Sequence, residues 1–283
     1  MAMMHPDSVL QTLLIYAEGD DNIRAVLLEG SRAFGVVDGF SDFDIVFVTR
    51  SSARYLDGAF LPFLTENFGE IAVMQTPDNG EPLDVYTHLV QFSSGLRIDL
   101  TFSSLDYLSR TPLESATAVL LDKDARFADT PPPSDADFWL QRTDAAAFSR
   151  HCNEFWWVSP YVAKAAARGQ LVHAQEILGQ YVRPQYQWLL GHLAGARNGW
   201  NQVNLGKHGS AIRSLLRPED QHYCDALEHS YAPTDSAAIR AALAHLMTAF
   251  HTLAPQVAAV LSCTYNTEEG RRTLAFIAEH FTP

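Results

Sequence analysis

Leu27-Leu28-Glu29-Gly30-Ser31-Arg32 and Ser41-Asp42-Phe43-Asp44-Ile45-Val46-Phe47-Val48 decide how this chain is read. An apolar strand runs into a Gly-Ser turn. After a short loop, a second apolar strand opens on two aspartates one residue apart. Alternate residues of a strand face the same side, so Asp42 and Asp44 project together. Such a pair suits a hard divalent cation, which takes oxygen ligands and commonly arrives with phosphates. Gly30 lets the backbone approach a phosphate, and Ser31 adds a hydroxyl or its N–H. Asp-x-Asp alone is also an ordinary solvated strand end. The Gly-Ser turn one strand earlier shifts the weight towards a site.

A third carboxylate belongs to such a site. Val85 to Phe92 and Leu96 to Phe102 read as a hairpin turning at Ser93-Ser94-Gly95. In its second strand Leu96, Ile98, Leu100 and Phe102 alternate with Arg97, Asp99 and Thr101. Strands disfavour a central Asp, so Asp99 needs a local reason. A cation shared with Asp42 and Asp44 is one; pairing with Arg97 is the other.

Working outward, Asp7 or Ser8 is expected to cap a helix through Ala17, with Val9, Leu10, Leu13 and Leu14 facing inward. Ile23 to Leu28, Phe43 to Thr49 and Ile71 to Gln75 read as strands, and Tyr55 to Phe68 as a helix kinked at Pro62. With the hairpin, this makes a mixed sheet of about five strands. Leu105 to Leu121 reads as short helical turns ending in an apolar run. Thr130-Pro131-Pro132-Pro133-Ser134-Asp135 cannot continue a helix or an inner strand, so it divides residues 1–134 from residues 135–283. Beyond it, Thr143–Ala167, Val172–Leu193, Gly209–Leu216, Asp220–Ser230, Ser236–Leu253 and Glu268–Phe281 read as helices. The fold class is therefore α+β (α/β), a sheet domain followed by an all-helical one.

Composition narrows the chemistry. Across 283 residues, 47% are apolar and the formal net charge is −13. Such a chain repels a nucleic-acid backbone and attracts a cationic small substrate. No apolar stretch approaches the ~20 residues of a membrane helix. Met1-Ala2-Met3-Met4-His5-Pro6-Asp7 has no basic and apolar leader pattern, and Cys152, Cys224 and Cys263 form no Cys-x-x-Cys; a cytoplasmic protein with reduced thiols is expected. Walker A and Gly-x-Gly-x-x-Gly runs are absent, which argues against P-loop kinases and Rossmann dehydrogenases. The histidines show no His-Glu-x-x-His pattern.

Gly30-Ser31, Asp42-x-Asp44 and Asp99 resemble the signature of the polymerase-β-type nucleotidyltransferases. Leu120-Leu121-Asp122-Lys123-Asp124, Cys152-Asn153-Glu154-Phe155-Trp156 and Leu205-Gly206-Lys207 are similar to segments of the aminoglycoside 6-adenylyltransferases, also called streptomycin adenylyltransferases, in the same order. The sequence departs from that pattern at Ala33-Phe34-Gly35, and Pro160 interrupts an expected helix.

The resemblance implies a polymerase-β-like nucleotidyltransferase domain before the helical one, with the active site in the cleft between them. It implies AMP transfer from ATP to a streptomycin hydroxyl, with two Mg2+ ions held by Asp42, Asp44 and Asp99. Gly30, Ser31, Arg32, Lys123, Tyr161, Lys164 and Lys207 are the candidates for the nucleotide; Lys207 sits at an expected helix start, where N–H groups favour phosphate. Arg32 could instead close a salt bridge. Glu154 is the candidate base, with Asp99 as alternative, or it anchors a substrate cation; Trp157 is a candidate acceptor contact. Partners would be ATP and a cationic aminoglycoside, acting on a monomer or homodimer, with no nucleic acid and no membrane. Two other readings stand beside this one. One is an adenylyltransferase of the same fold acting on another cationic small molecule or a protein. The other is a non-catalytic nucleotide-binding module with a spent site, against which the three aspartates speak.

Overall fold

A computed structural model of the chain describes residues 5–56, 58–77 and 84–281. Met1 to Met4, part of the start read above, and Asp57, within the expected helix 55–68, lie outside the described residues. The chain divides into two compact units between Asp137 and Phe138.

The first unit runs α1 (Pro6–Gly19), β1 (Ile23–Glu29), α2 (Gly30–Ala33), β2 (Phe43–Thr49), α3 (Leu61–Phe68), β3 (Ile71–Gln75), β4 (Val85–Phe92), β5 (Arg97–Ser104), α4 (Leu105–Arg110) and β6 (Ala118–Asp122). The strands form one mixed sheet in the order β3-β4-β5-β2-β1-β6. β2 and β5 run parallel, and the other neighbours are antiparallel. The period of two gives the sheet two different faces. Phe43, Ile45, Phe47, Ile98, Leu100 and Phe102 join Val9, Leu13 and Ala17 of α1 and Leu64 and Phe68 of α3 in the larger core. Each of the larger side chains among them, fully buried, contributes about 1.5–3 kcal/mol. The other face carries a smaller cluster, Ala25, Leu27, Val46 and Val48, covered by Leu105, Leu108 and Leu113.

Several local expectations change. The N-cap of α1 is His5, without a side-chain cap bond, because Pro6 opens the helix and needs no donor there; Leu10 and Leu14 are only partly buried. Pro62 likewise lies in the first turn of α3 and starts that helix, and Ser52–Tyr55 forms a separate 3-10 turn. The apolar run before Asp122 is a sixth strand, β6, paired with β1. Its residues read as helical turns because a short edge strand lacks a clear alternation.

The second unit comprises α5 (Ala145–Ala167), α6 (Leu171–Ile177), α7 (Arg183–Arg197), α8 (Ile212–Leu215), α9 (Gln221–His229), α10 (Ser236–Leu261) and α11 (Thr267–Phe281). Phe155 and Trp156 of α5, Leu189 and Leu190 of α7, and Leu246 and Phe250 of α10 build its core. The Asp144 carboxylate accepts from the Ala147 N–H at 2.7 Å and caps α5. Pro160 does not interrupt α5. The helix passes through it, and the buried Ser159 hydroxyl donates to the Phe155 carbonyl at 2.7 Å just before it. The expected helix 172–193 is broken by a π turn at Leu178–Val182. Among the described residues no helix is long and apolar enough to cross a membrane.

Candidate functional site

The parallel pairing of β2 and β5 sets Asp44 directly beside Asp99. Asp42 precedes Asp44 by one strand period. The ligand oxygens of Asp42, Asp44 and Asp99 all lie within 4.8 Å of one another. Three convergent carboxylates are the donor set a hard cation takes. Electrostatics agree with that fit. Burial, then the Asp42 and Asp99 carboxylates, push the Asp44 carboxyl up to about 6, with Arg97 opposing them. A cation in this cluster would relieve that repulsion.

Gly30 is required beside it. Its φ is +69°, and a Cβ there would come within 2.5 Å of Asp44 Oδ2. Glycine alone tolerates both the backbone angle and the contact.

Arg97 was visible from sequence only as an alternative partner for Asp99, and the structure brings it into the cluster. It binds Asp99 through two bonds, Nε to Oδ1 at 3.0 Å and Nη2 to Oδ2 at 2.6 Å, and its Nε lies 3.6 Å from Asp42 Oδ2. Both explanations of a mid-strand Asp99 therefore hold together: it joins the other aspartates and pairs with the arginine two residues away.

Glu29 was missed as a site residue. It ends β1 opposite Asp44 in the antiparallel register. Burial first, then Glu114 and Asp44, push its carboxyl up to about 7. The strand register and the approach of Glu114 reveal this, and no local pattern in the sequence does.

Arg32 is placed differently from the expectation of a phosphate contact or a salt bridge. Its Nε donates to the Asp42 carbonyl at 2.7 Å and its Nη2 to the Ser41 carbonyl at 2.6 Å. Its guanidinium lies 3.8 Å from the centre of the Phe43 ring. It ties the Gly30-Ser31 turn to the segment that carries Asp42, and so positions that carboxylate.

Lys123 is also placed elsewhere. Its Nζ donates to the carbonyls of Ala17 at 2.7 Å, Asp20 at 3.1 Å and Glu18 at 3.3 Å, which uses all three donors on the end of α1. Its backbone N–H binds the Arg24 carbonyl, at the end of β1 away from Glu29. Five residue rises lead from Arg24 to Glu29, about 17 Å. A lysine in a family-like segment carried the expectation; the antiparallel return of β6 removes it from the carboxylate cluster.

Lys207 does not open a helix. It begins a 3-10 turn, Lys207–Gly209, with His208 at φ +53°, and α8 starts only at Ile212. Gly206 is fixed by its φ of +71° and by Ser210 Oγ, which a Cβ there would strike. Among the described residues the exposed Lys207 ammonium has no hydrogen-bond or ion-pair partner.

In the helical unit, Glu154, Trp157, Tyr161 and Lys164 recur at spacings that share one face of α5. Trp157, Tyr161 and Lys164 line a cavity of about 450 Å³, with Glu269, Arg272 and Phe276 of α11 opposite. The Lys164 ammonium lies 5.1 Å from the Tyr161 ring centre. α11 reaches α5 closely at Gly270, where a Cβ would meet His251 Nδ1 at 2.6 Å and Trp156 at 2.8 Å. Glu154 is half-buried and does not line that cavity.

Known proteins resemble this chain along most of its length. The family model described as streptomycin adenylyltransferase matches residues 3–280. An aminoglycoside 6-adenylyltransferase of Campylobacter jejuni is 31% identical over 226 residues, 77% of this chain and 76% of the relative. One of Bacillus subtilis (strain 168) is also 31% identical over 226 residues, 76% of this chain and 77% of the relative. A crystal structure of an aminoglycoside 6-adenyltransferase from Bacillus subtilis aligns over 98% of each chain, at 23% identity and a TM-score of 0.47. With a sheet that gathers Asp42, Asp44 and Asp99 beside Gly30, and a family model matched almost end to end, this chain belongs to the streptomycin adenylyltransferase family.

Proposed function

We propose that this protein transfers AMP from ATP to a hydroxyl of an aminoglycoside, the 6-hydroxyl of streptomycin, with release of pyrophosphate. A cell making it would resist that drug. The observation that carries the reading is the convergence of Asp42, Asp44 and Asp99 within 4.8 Å on the sheet face beside Gly30. A spent nucleotide-binding module would have no need to keep three mutually repelling carboxylates together.

Asp42, Asp44 and Asp99 would hold two Mg2+ ions, which when bound neutralise the triphosphate and stabilise the attacking and leaving oxygens of an in-line displacement at the α-phosphorus. The chain's own groups do the rest. Gly30 admits the phosphate chain close to the backbone, and the Ser31 hydroxyl offers a donor beside it. Arg32 holds Asp42 in place through its carbonyl. Lys164 and Lys207 supply positive charge to the triphosphate, with Tyr161 steadying Lys164. Glu154 accepts the proton of the attacking hydroxyl, and Trp157 lies against the acceptor's sugar ring. The chain's net charge of −13 favours arrival of a cationic drug.

The test is pyrophosphate release by the purified full chain with ATP, Mg2+ and streptomycin. Release should require all three and stop when EDTA removes the metal. No release with streptomycin under these conditions would overturn the reading.

A further inference from the structure

Phe40 is the most exposed large apolar side chain of the molecule among the described residues, at 96% relative exposure, and it lies two residues before Asp42. An aromatic ring left in water forgoes the stabilisation that burial would give it. The backbone that carries this ring is nevertheless held in a defined place. Asp38 Oδ1 accepts from the Phe40 N–H at 2.9 Å and from the Ser41 hydroxyl at 3.0 Å. Arg32 grips the Ser41 and Asp42 carbonyls behind it, and the Val36 N–H binds the Ser31 carbonyl at 3.0 Å in front. A braced loop that presents a bare ring next to a carboxylate cluster is a platform for a ligand.

The cavity beside that ring shows which ligand. It measures about 270 Å³ and is lined by Phe40, Phe43, Leu96, Arg32 and Arg97. Arg97 belongs to both places, since the same guanidinium binds Asp99. The cavity is thus one side chain away from the proposed metal and phosphate position. A ligand there would lie close enough to the proposed reacting phosphorus to be joined to it or to be the acceptor. Drug-sized ligands fill pockets of about 300–1,000 Å³, so this one suits a nucleoside fragment better than a whole aminoglycoside. Charge agrees. Arg32 and Arg97 line it with one carboxylate, Asp38, and Arg97 is itself paired with Asp99 and close to Asp42, so the lining carries little net charge. An uncharged aromatic base suits such a lining.

We infer that Phe40 is the stacking platform for the adenine ring of ATP, with the cavity of Phe43, Leu96 and Arg97 receiving the nucleoside. The inference rests on the proposed ATP-dependent reading of the carboxylate cluster. Phe40 would then be the residue that lets the enzyme hold a nucleoside triphosphate more tightly than a bare one.

Calorimetric titrations of the full chain with Mg-ATP and with Mg-tripolyphosphate, without acceptor, test this. Phe40→Ala should bind Mg-ATP about tenfold more weakly, the loss of one base–aromatic stack, and bind tripolyphosphate as the wild type does. Phe40→Tyr should restore the ATP affinity. Unchanged ATP affinity in Phe40→Ala, or an equal loss of both ligands, would overturn the inference. Wild-type protein that fails to bind Mg-ATP at all would instead overturn the ATP reading on which it rests.

Discussion

The sheet carboxylates and the α5 stripe are assembled by different rules. Asp42 and Asp44 meet Asp99, more than fifty positions further along the sequence, because β2 and β5 pair in parallel with Asp44 opposite Asp99. Asp44 and Asp99 are fixed by a hydrogen-bonded ladder, with Asp42 just ahead of it, and a one-residue slip would turn a paired carboxylate to the wrong face. Glu154, Trp157, Tyr161 and Lys164 meet because one helix repeats them, with no partner strand to set them. The sheet therefore fixes its carboxylates through backbone pairing, as the proposed shared ion would demand, while the helix offers groups whose position tolerates more. Loss of function should be steep on the sheet and graded on the helix.

The steepest loss is expected from Asp42→Asn, Asp44→Asn and Asp99→Asn. Each would remove an anionic ligand of the proposed metal pair and should lower kcat/KM by at least ~10³, several kcal/mol of transition-state stabilisation. Stability should not follow activity. Asp44 is held up near a pKa of about 6 by burial and its neighbours, so taking away its charge relieves repulsion in the metal-free fold. Thermal melts in EDTA should show Asp44→Asn at or above the wild-type Tm. Near-wild-type turnover in any of the three variants would break the comparison at its sheet side.

A smaller, graded effect is expected on the helix. As a base, Glu154→Gln should lower kcat by ~10²–10⁴, with streptomycin affinity by calorimetry near normal. As an anchor for a drug cation, it should raise Kd while kcat at saturation survives. Normal rate and normal binding together would refute both roles and leave the α5 stripe without a catalytic part.

The same contrast explains what could be read from the sequence. Gly30-Ser31, Asp42-x-Asp44 and the alternation around Asp99 declared themselves, because strand period and the Gly-Ser turn are local patterns. The burial of Ile98, Leu100 and Phe102 opposite Asp99 follows from that alternation. What escaped was set by pairing. β6 was hidden because it is short and becomes a strand only by pairing with β1. The pressure of Asp44 on Glu29 needs the antiparallel register of β1 and β2. Pro160 and Pro62 were read from the rule that proline breaks helices. That rule lapses in a first turn, and in α5 the tertiary packing of Phe155 and Trp156 overrides it.

Two lysines give the smallest effects and the cleanest separation. Lys123 and Lys207 both sit in family-like segments, and their sequence contexts suggest the same role. Their surroundings differ completely. Lys123 spends its three donors on the last carbonyls of α1, about 17 Å along β1 from the Gly30 end. A cation at a helix C-terminus interacts favourably with the unpaired carbonyls, and partly buried charged hydrogen bonds add to this. Lys123→Ala should therefore lower stability by about 1–2 kcal/mol, a Tm drop of a few degrees, with the ATP KM unchanged. Lys207 is exposed and unpartnered among the described residues, so its loss leaves nothing unsatisfied in the fold. Lys207→Ala should keep the wild-type Tm and raise the ATP KM by about fivefold, the roughly 1 kcal/mol of one solvent-exposed charge contact. Parallel melts and ATP titrations of the two variants decide it. An ATP defect without a Tm change in Lys123→Ala would mean that its ammonium leaves α1 for the nucleotide. An unchanged ATP KM in Lys207→Ala would reduce that residue to an ordinary surface lysine.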